Sequence, residues 1–384
     1  MIRTKMPNTE TSIFAVMTKL ANEHGAINLS QGFPDFQMPE KLIELTEKYM
    51  RQGFNQYSPM PGIMSLREKI SHKMEALYSH KYNPETEITI TAGGTQALHS
   101  AITAIVNEGD EVIVFEPAYD SYVPVIKLNG GQPVYVKLTA PDYSVDWNEV
   151  NKLITSRTRL IIINTPHNPS GTVFSEEDMI MLQKLIAGTK VIILSDEVYE
   201  HIIFDKKEHQ SVAKFPKLAE RSIIVYSFGK VYHATGWKTG YCIAPEKIMK
   251  EFRKIHQFTV FSANMPIQYA ISEFIDNFEH YLGLPDFYQQ KRDYFNNLLT
   301  NIGFEIIPSS GTYFQTVDFS KFTDEQDTVL AERLTKDFKI ASIPMSAFYH
   351  DKIKSTQLRF CFAKENETLD KAAEKLSHFF FSAQ

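Results

Sequence analysis

The stretch SIIVYSFGKVYHATGWKTGYCIA, Ser222 to Ala244, decides how the rest of the chain is read. The β-branched and aromatic residues from Ile223 to Tyr226 predict a buried strand, which stops at Ser227-Phe228-Gly229-Lys230 instead of at ordinary turn residues. A lysine there is either a solvated cap on the strand or an amine placed for covalent chemistry. Lys238 follows Gly236-Trp237, and Gly240 opens a second short apolar run, Tyr241 to Ala244. If Lys230 is a Schiff-base lysine, the rest of the chain must supply a cofactor site around it.

Outward from this stretch, short apolar runs alternate with helical patterns from residue 88 onward, which predicts βα units building a parallel sheet. Seven runs qualify: Ile88–Thr91, Glu111–Phe115, Pro133–Leu138, Arg159–Asn164, Val191–Leu194, Ile223–Tyr226 and Tyr241–Ala244. Helical patterns precede them over Pro39–Met50 and from Ser65, a candidate cap, to Tyr78, and QALHSAITAIV follows the first run. After about Asp286 the texture changes: a helix is expected over Phe287–Leu299, strands over Phe304–Ile307, Tyr313–Val317 and Gln357–Ala363, and a last helix over ETLDKAAEKLSHFFF. The expected fold class is α/β, a mostly parallel seven-stranded sheet flanked by helices, with a smaller α+β domain. Residues 1–38 are expected to form an arm and part of the small domain, 39–286 a large domain and 287–384 the small C-terminal domain, as suits 384 residues.

The composition, 43% hydrophobic and 22% charged, is that of a globular protein. Lys+Arg 40 against Asp+Glu 46 leaves a net charge of -6 without a basic stripe, which argues against nucleic acid or an anionic membrane as partner. No apolar run approaches the ~18 residues of a membrane span. Cys242 and Cys361 sit in apolar runs and read as buried hydrophobes, and the N-terminus lacks an apolar signal core, so a cytoplasmic location is expected. No metal site is read from the sequence.

In open α/β sheets ligands bind beyond the carboxyl ends of the strands, so the residues that end each run matter most. They are Gly93-Gly94-Thr95, Tyr119 past Pro117, Asn164 and Asn168 in NTPHNPSG, Asp196 with Tyr199 in SDEVYEH, and Ser227 with Lys230. Each alone has a turn or cap explanation. Together they match the chemical needs of pyridoxal 5′-phosphate (PLP). Backbone N–H groups of Gly94, Thr95 and Gln96 at a helix start suit a phosphate, helped by Ser227 and Lys238. Asp196 suits a protonated pyridine nitrogen, Tyr119 a ring face, Asn168 and Tyr199 the ring oxygen, and Lys230 the aldehyde.

These residues resemble the class I pyridoxal-phosphate aminotransferases of fold type I. The likeness rests on Ala92-Gly93-Gly94-Thr95, Asn164-Thr165-Pro166-His167-Asn168-Pro169-Ser170-Gly171, Ser195-Asp196-Glu197-Val198-Tyr199 and Ser227-Phe228-Gly229-Lys230, in the family's order, and runs from about Ile13 to Lys364. Gln31-Gly32-Phe33-Pro34-Asp35-Phe36, Asn55-Gln56-Tyr57 and Leu358-Arg359-Phe360-Cys361-Phe362-Ala363-Lys364 are most similar to the branch holding methionine aminotransferases and kynurenine aminotransferases (glutamine transaminase K). The resemblance implies that Lys230, Asp196 and Tyr199 act on the cofactor. It implies that Arg359 pairs with the substrate α-carboxylate, helped by Asn168 and the backbone of Gly32. It also implies that Tyr57 reaches the cofactor phosphate of a neighbouring subunit, hence a homodimer with shared sites. Gly229 and Lys238 depart from the wider pattern, where many members carry serine and arginine.

The implied reaction is ping-pong transfer of an amino group from an amino acid to a 2-oxo acid, with the freed Lys230 moving the proton. The loop Phe258-Thr259-Val260-Phe261-Ser262-Ala263-Asn264 lacks the second arginine of aspartate-specific relatives. With Phe14, Phe33 and Phe261 as expected walls, methionine, aromatic amino acids and glutamine suit the pocket better than aspartate, although the same aromatics can serve as core. A kynurenine/glutamine transaminase with cysteine-S-conjugate β-lyase activity is the alternative. A ligand sensor needs a DNA-binding extension that the segment before Ile13 is too short to hold, and a nicotinamide enzyme needs a G-x-G-x-x-G that does not follow the first run.

Overall fold

The computed structural model describes residues 3–7 and 9–382. All seven apolar runs become strands of one sheet: β1 (Ile88–Thr91), β2 (Glu111–Glu116), β3 (Gln132–Lys137), β4 (Thr158–Asn164), β5 (Ile192–Asp196), β6 (Ser222–Ser227) and β7 (Gly240–Ile243), in spatial order β1-β7-β6-β5-β4-β2-β3. β7 is antiparallel to β1 and β6, and every other neighbouring pair is parallel. Successive residues of one strand feed two separate cores. Ile161 and Ile163 pack on one face of the sheet and Leu160 and Ile162 on the other. A strand buried on both faces carries no polar alternation, which is why these runs are continuously apolar.

Register brings the chemistry-bearing ends together. Asn164, last in β4, lies opposite Asp196, last in β5, and Asp196 lies opposite Val225, two residues before β6 ends at Ser227. The first helix, α1, is Ile13–His24, and the helix after β1 covers Gly93–Ile105 and so begins three residues before the predicted QALHSAITAIV. Gly94 and Thr95 therefore occupy its first turn. Ser65 does not cap its helix: that helix starts at Met64 with Ile63 in the cap position, which has no side-chain hydrogen bond to offer.

The C-terminal part forms a four-stranded antiparallel sheet, in the order Ile343–Pro344, β9 (Gln357–Cys361), β8 (Phe314–Asp318), Glu305–Ile306. The predicted helix over Phe287–Leu299 extends to Leu284–Ile302, with a proline in its first turn and Gly303, at φ 111°, ending it. Ile27–Asn28 pairs in parallel with Ile340–Ala341, and α1 packs on the helix Asp327–Lys336, so the N-terminal segment joins the C-terminal one. Two-residue strands are too short to carry a period. Among the described residues no helix is long and apolar enough to cross a membrane.

Candidate active site

The carboxyl ends of β4, β5 and β6 open onto a cavity of about 1130 Å³, closed on the far side by α1, the Gln31-Gly32-Phe33 loop and the start of β8. Lys230 lies in the single helical turn that follows β6. Its Nζ donates to the Tyr313 hydroxyl at 3.0 Å and, at 3.5 Å, points at the Gly32 carbonyl. Burial lowers this amine to about 8, with the positive fields of Lys238 and Arg359 acting in the same direction and those of Cys361 and Asp196 opposing.

Asp196 is buried at the end of β5, where its Oδ2 accepts from the Tyr122 hydroxyl at 2.6 Å. It makes no salt bridge among the described residues, and burial pushes its carboxyl up to about 6 against the lowering effect of the Tyr122 hydrogen bond. Tyr199 is buried three residues on, its ring perpendicular to that of Tyr313 at 5.2 Å. Glu197 and Glu200, between and beyond them, turn the other way. Glu197 accepts from Ser195, His209 and Tyr226, and Glu200 from Lys73 and Tyr78, which anchors the segment from behind.

Arg359 is in β9, paired with Thr316 and Ile343 on either side, and fully buried. Its Nη1 donates to Asn168 Oδ1 at 2.6 Å and its Nη2 to the Ser30 carbonyl at 2.9 Å. Its guanidinium lies 3.7 Å from the Phe314 ring centroid and 5.3 Å from that of Phe14. No carboxylate pairs with it among the described residues, its Nε has no partner, and burial lowers it to about 10. Asn168 is held in turn by Asn164, whose Oδ1 accepts its backbone N–H at 2.8 Å while Nδ2 donates to the Asp196 carbonyl at 2.8 Å.

Gly32, Gly94, Thr95, Tyr119, Asn168, Lys238 and Phe14 all face the cavity together with Lys230, Asp196, Tyr199 and Arg359. Ser227 and Gln96 do not reach its wall. The Gln96 side chain turns back, its Oε1 accepting from Ala92 N–H at 3.0 Å and its Nε2 donating to Ser100 at 2.8 Å, which leaves only its backbone N–H for a ligand. Tyr57 and Phe261 also stand apart from the cavity of their own chain. Their rings pack edge to face at 5.3 Å on the surface, 83% and 50% exposed.

Sequence reasoning missed three neighbours of these groups: Tyr122 on Asp196, Tyr313 on Lys230, and Asp120, which accepts from Ser12 just ahead of α1. Tyr122 and Asp120 flank the Tyr119 that was singled out. Tyr313 read only as the first residue of a strand.

The unpaired Asp196 carboxylate has a stability consequence in the ligand-free chain. An acid whose folded value is about 6 and whose ordinary value is 3.8 ionises first in the unfolded state, so stability falls as pH rises through that interval and stays lower above it. Asp196→Asn, which keeps an acceptor for Tyr122, is expected to stabilise the ligand-free chain by about 2–3 kcal/mol at pH 8 and by little near pH 4. Urea unfolding at the two pH values measures it.

The family description aminotransferase class I and II matches residues 24–376. The methionine aminotransferase of Escherichia coli K12 is 49% identical over 97% of each chain, and human kynurenine–oxoglutarate transaminase 1 is 34% identical over 93% of each. A crystal structure from Escherichia coli, described as identifying a methionine aminotransferase function, superposes with a TM-score of 0.95 at 48% identity, covering 98% of this chain and 99% of that one. Strand ends, the ionisable groups that line one cavity and these near full-length likenesses agree: the chain belongs to the class I and II aminotransferases, enzymes that pass amino groups between amino acids and 2-oxo acids.

Proposed function

We propose that this aminotransferase binds PLP in the cavity, works as a homodimer, and takes methionine or another large neutral or aromatic amino acid as amino donor. One observation carries the reading. Asp196 and Arg359, both buried, and Lys230, half-buried, line one cavity, and none has an ion-pair partner among the described residues. Buried charges without partners are costly, and a ligand carrying an aldehyde, a basic ring nitrogen and an α-carboxylate complements all three.

Asp196 would hold the ring nitrogen, Gly94, Thr95 and Lys238 the phosphate, Tyr119 one ring face, and Asn168 and Tyr199 the ring oxygen. When bound, PLP supplies an aldehyde that condenses with amines and a ring that accepts the electron pair left behind when the α-proton departs. Arg359 fixes the substrate by its α-carboxylate, with Asn168 Oδ1 and the Phe314 ring orienting the guanidinium. Lys230 Nζ, lowered to about 8, is neutral in roughly a tenth of molecules at pH 7, far more than an ordinary lysine, and so can take the α-proton. Tyr57 and Phe261, with Phe258 at 88% exposed, form an apolar surface suited to a second copy of the chain.

For the donor, support comes from the Escherichia coli relative and from walls built by Phe14, Phe33 and Phe314. Asp120 adds a negative group to the same wall, held by Ser12 and half buried, and it disfavours a substrate with a second carboxylate. Asp120→Asn is expected to raise kcat/KM for glutamate roughly tenfold relative to methionine. Equal ratios in both proteins would remove Asp120 from the specificity account.

The deciding experiment is to add PLP to purified protein, reduce with borohydride, and map the modified peptide. Modification at Lys230 and a light-scattering mass of twice 44.0 kDa are expected. Modification elsewhere, or none, defeats the reading, and a panel of amino donors against one 2-oxo acid then ranks substrates.

A further inference from the structure

We propose that Tyr313 is a positioning residue for Lys230: its hydroxyl is the resting place of the lysine amine whenever that amine is not bonded to the cofactor. The inference rests on Lys230 being the reactive lysine, as argued above.

The geometry is specific. The phenol has one hydrogen, and it is directed at the Gly32 carbonyl 2.7 Å away, so its lone pairs face the Lys230 Nζ at 3.0 Å. The amine is thereby a donor in either protonation state. It also lies 5.4 Å from the Tyr199 ring centroid. Tyr313 is fully buried, and burial pushes its phenol far above the ordinary value, so it stays neutral and cannot compete for the proton that Lys230 carries.

Three local features build this contact. Gly32 is the residue that permits it, because a Cβ there would lie 2.6 Å from Phe314 Cζ and 3.0 Å from Tyr313 Cε2. Thr312, buried at φ 66°, holds a conformation that costs a β-branched residue energy, and the turn it makes directs consecutive aromatics to different partners: Tyr313 to Lys230 and Phe314 to Arg359. The same Gly32 carbonyl also belongs to the loop that closes the cavity, so the phenol ties the lysine to the wall against which substrate sits.

The functional need follows from the side chain. A released lysine on four rotatable bonds loses about 2 kcal/mol of rotamer freedom when held, and a reacting group misplaced by about 1 Å costs on the order of 100-fold in rate. A fixed acceptor at the reacting end keeps the amine within reach between proton removal and proton return.

The test is Tyr313→Phe, which keeps the ring and removes the hydroxyl, with Tyr288→Phe as control. The Tyr288 hydroxyl is buried without a hydrogen-bond partner among the described residues, and its ring lies 5.8 Å from that of Tyr313, so it reports the effect of simply losing a nearby phenol. Two readouts are taken. The first is the pH midpoint for acetylation of Lys230 in the cofactor-free protein, followed by peptide mass spectrometry. The second is single-turnover rate of the holoenzyme with a saturating amino donor.

For Tyr313→Phe the midpoint is expected to fall, because an acceptor for the charged amine is lost, and the turnover rate to fall roughly 10- to 100-fold with KM little changed. Tyr288→Phe should alter neither. An unchanged midpoint, or a loss equal to that of the control, overturns the proposal. Should the wild type fail to transaminate at all, the PLP reading fails, while the acetylation midpoints still report whether Tyr313 holds Lys230.

Discussion

Lys230→Ala is expected to lower transamination by on the order of 10^4-fold or more, about 5.5 kcal/mol of barrier, while leaving the fold intact. On the proposed reading the size follows from two roles lost together: the covalent attachment of cofactor and the proton carrier at the reacting carbon. The fold should tolerate the change because, among the described residues, the amine makes hydrogen bonds only to Tyr313 and, weakly, to Gly32, and removing a cation whose burial is already unfavourable relieves some cost. The measurement is single-turnover conversion of methionine to its 2-oxo acid beside thermal unfolding of both proteins. A variant retaining a tenth of wild-type rate would show that Lys230 is not the reactive amine. Added small amines should restore a fraction of the rate, since a free base can enter the 1130 Å³ cavity where the side chain stood.

The second large effect is at Arg359. Truncating one partner of a buried, hydrogen-bonded charge pair costs about 2–5 kcal/mol, so Arg359→Ala should reduce kcat/KM roughly 30- to 5000-fold. Most of the loss should appear in KM for the amino donor, because on the proposed reading the guanidinium holds the α-carboxylate in ground and transition states alike. Arg359→Lys should recover only part, since a point charge replaces a planar fork that also stacks at 3.7 Å on Phe314. Stability should drop as well: Asn168 Oδ1 and the Ser30 carbonyl each lose a donor in a buried setting. Substrate titration of donors with and without a carboxylate distinguishes the two effects. If an amine lacking the carboxylate were hurt as much as methionine, the loss would be one of folding and not of recognition.

Legibility from sequence divided along physical lines. Six of the seven strands of the main sheet were readable because they are buried on both faces, which leaves an unbroken apolar run bounded by turns; β3, at the sheet edge, buries only Val136, and all seven lie within two residues of the expected ends. The short strands Ile27–Asn28, Ile340–Ala341 and Ile343–Pro344 were not readable, since two residues carry no period and their pairing joins distant parts of the chain. Helix starts at Gly93 and Met64 were displaced from expectation because neither begins with a side-chain cap.

For the site, the sequence singled out Lys230, Asp196, Asn168 and Tyr199 at strand ends and, through the family resemblance, Arg359, and all five line one cavity. Strand register does the rest, since parallel strands of similar length end side by side. Tertiary structure alone decided the groups that hold them. Tyr122 lies 74 positions from Asp196 and Tyr313 lies 83 from Lys230, and a hydrogen bond across such a separation has no local signature in composition or period. It alone decided, too, that Gln96 turns its side chain from the cavity and that Tyr57 and Phe261 face outward, because where a side chain points depends on neighbours brought in by folding. The ionisation of the site was likewise decided there: Asp196 and Lys230 titrate near neutrality because burial removes the water that keeps a carboxylate strongly acidic and an amine strongly basic.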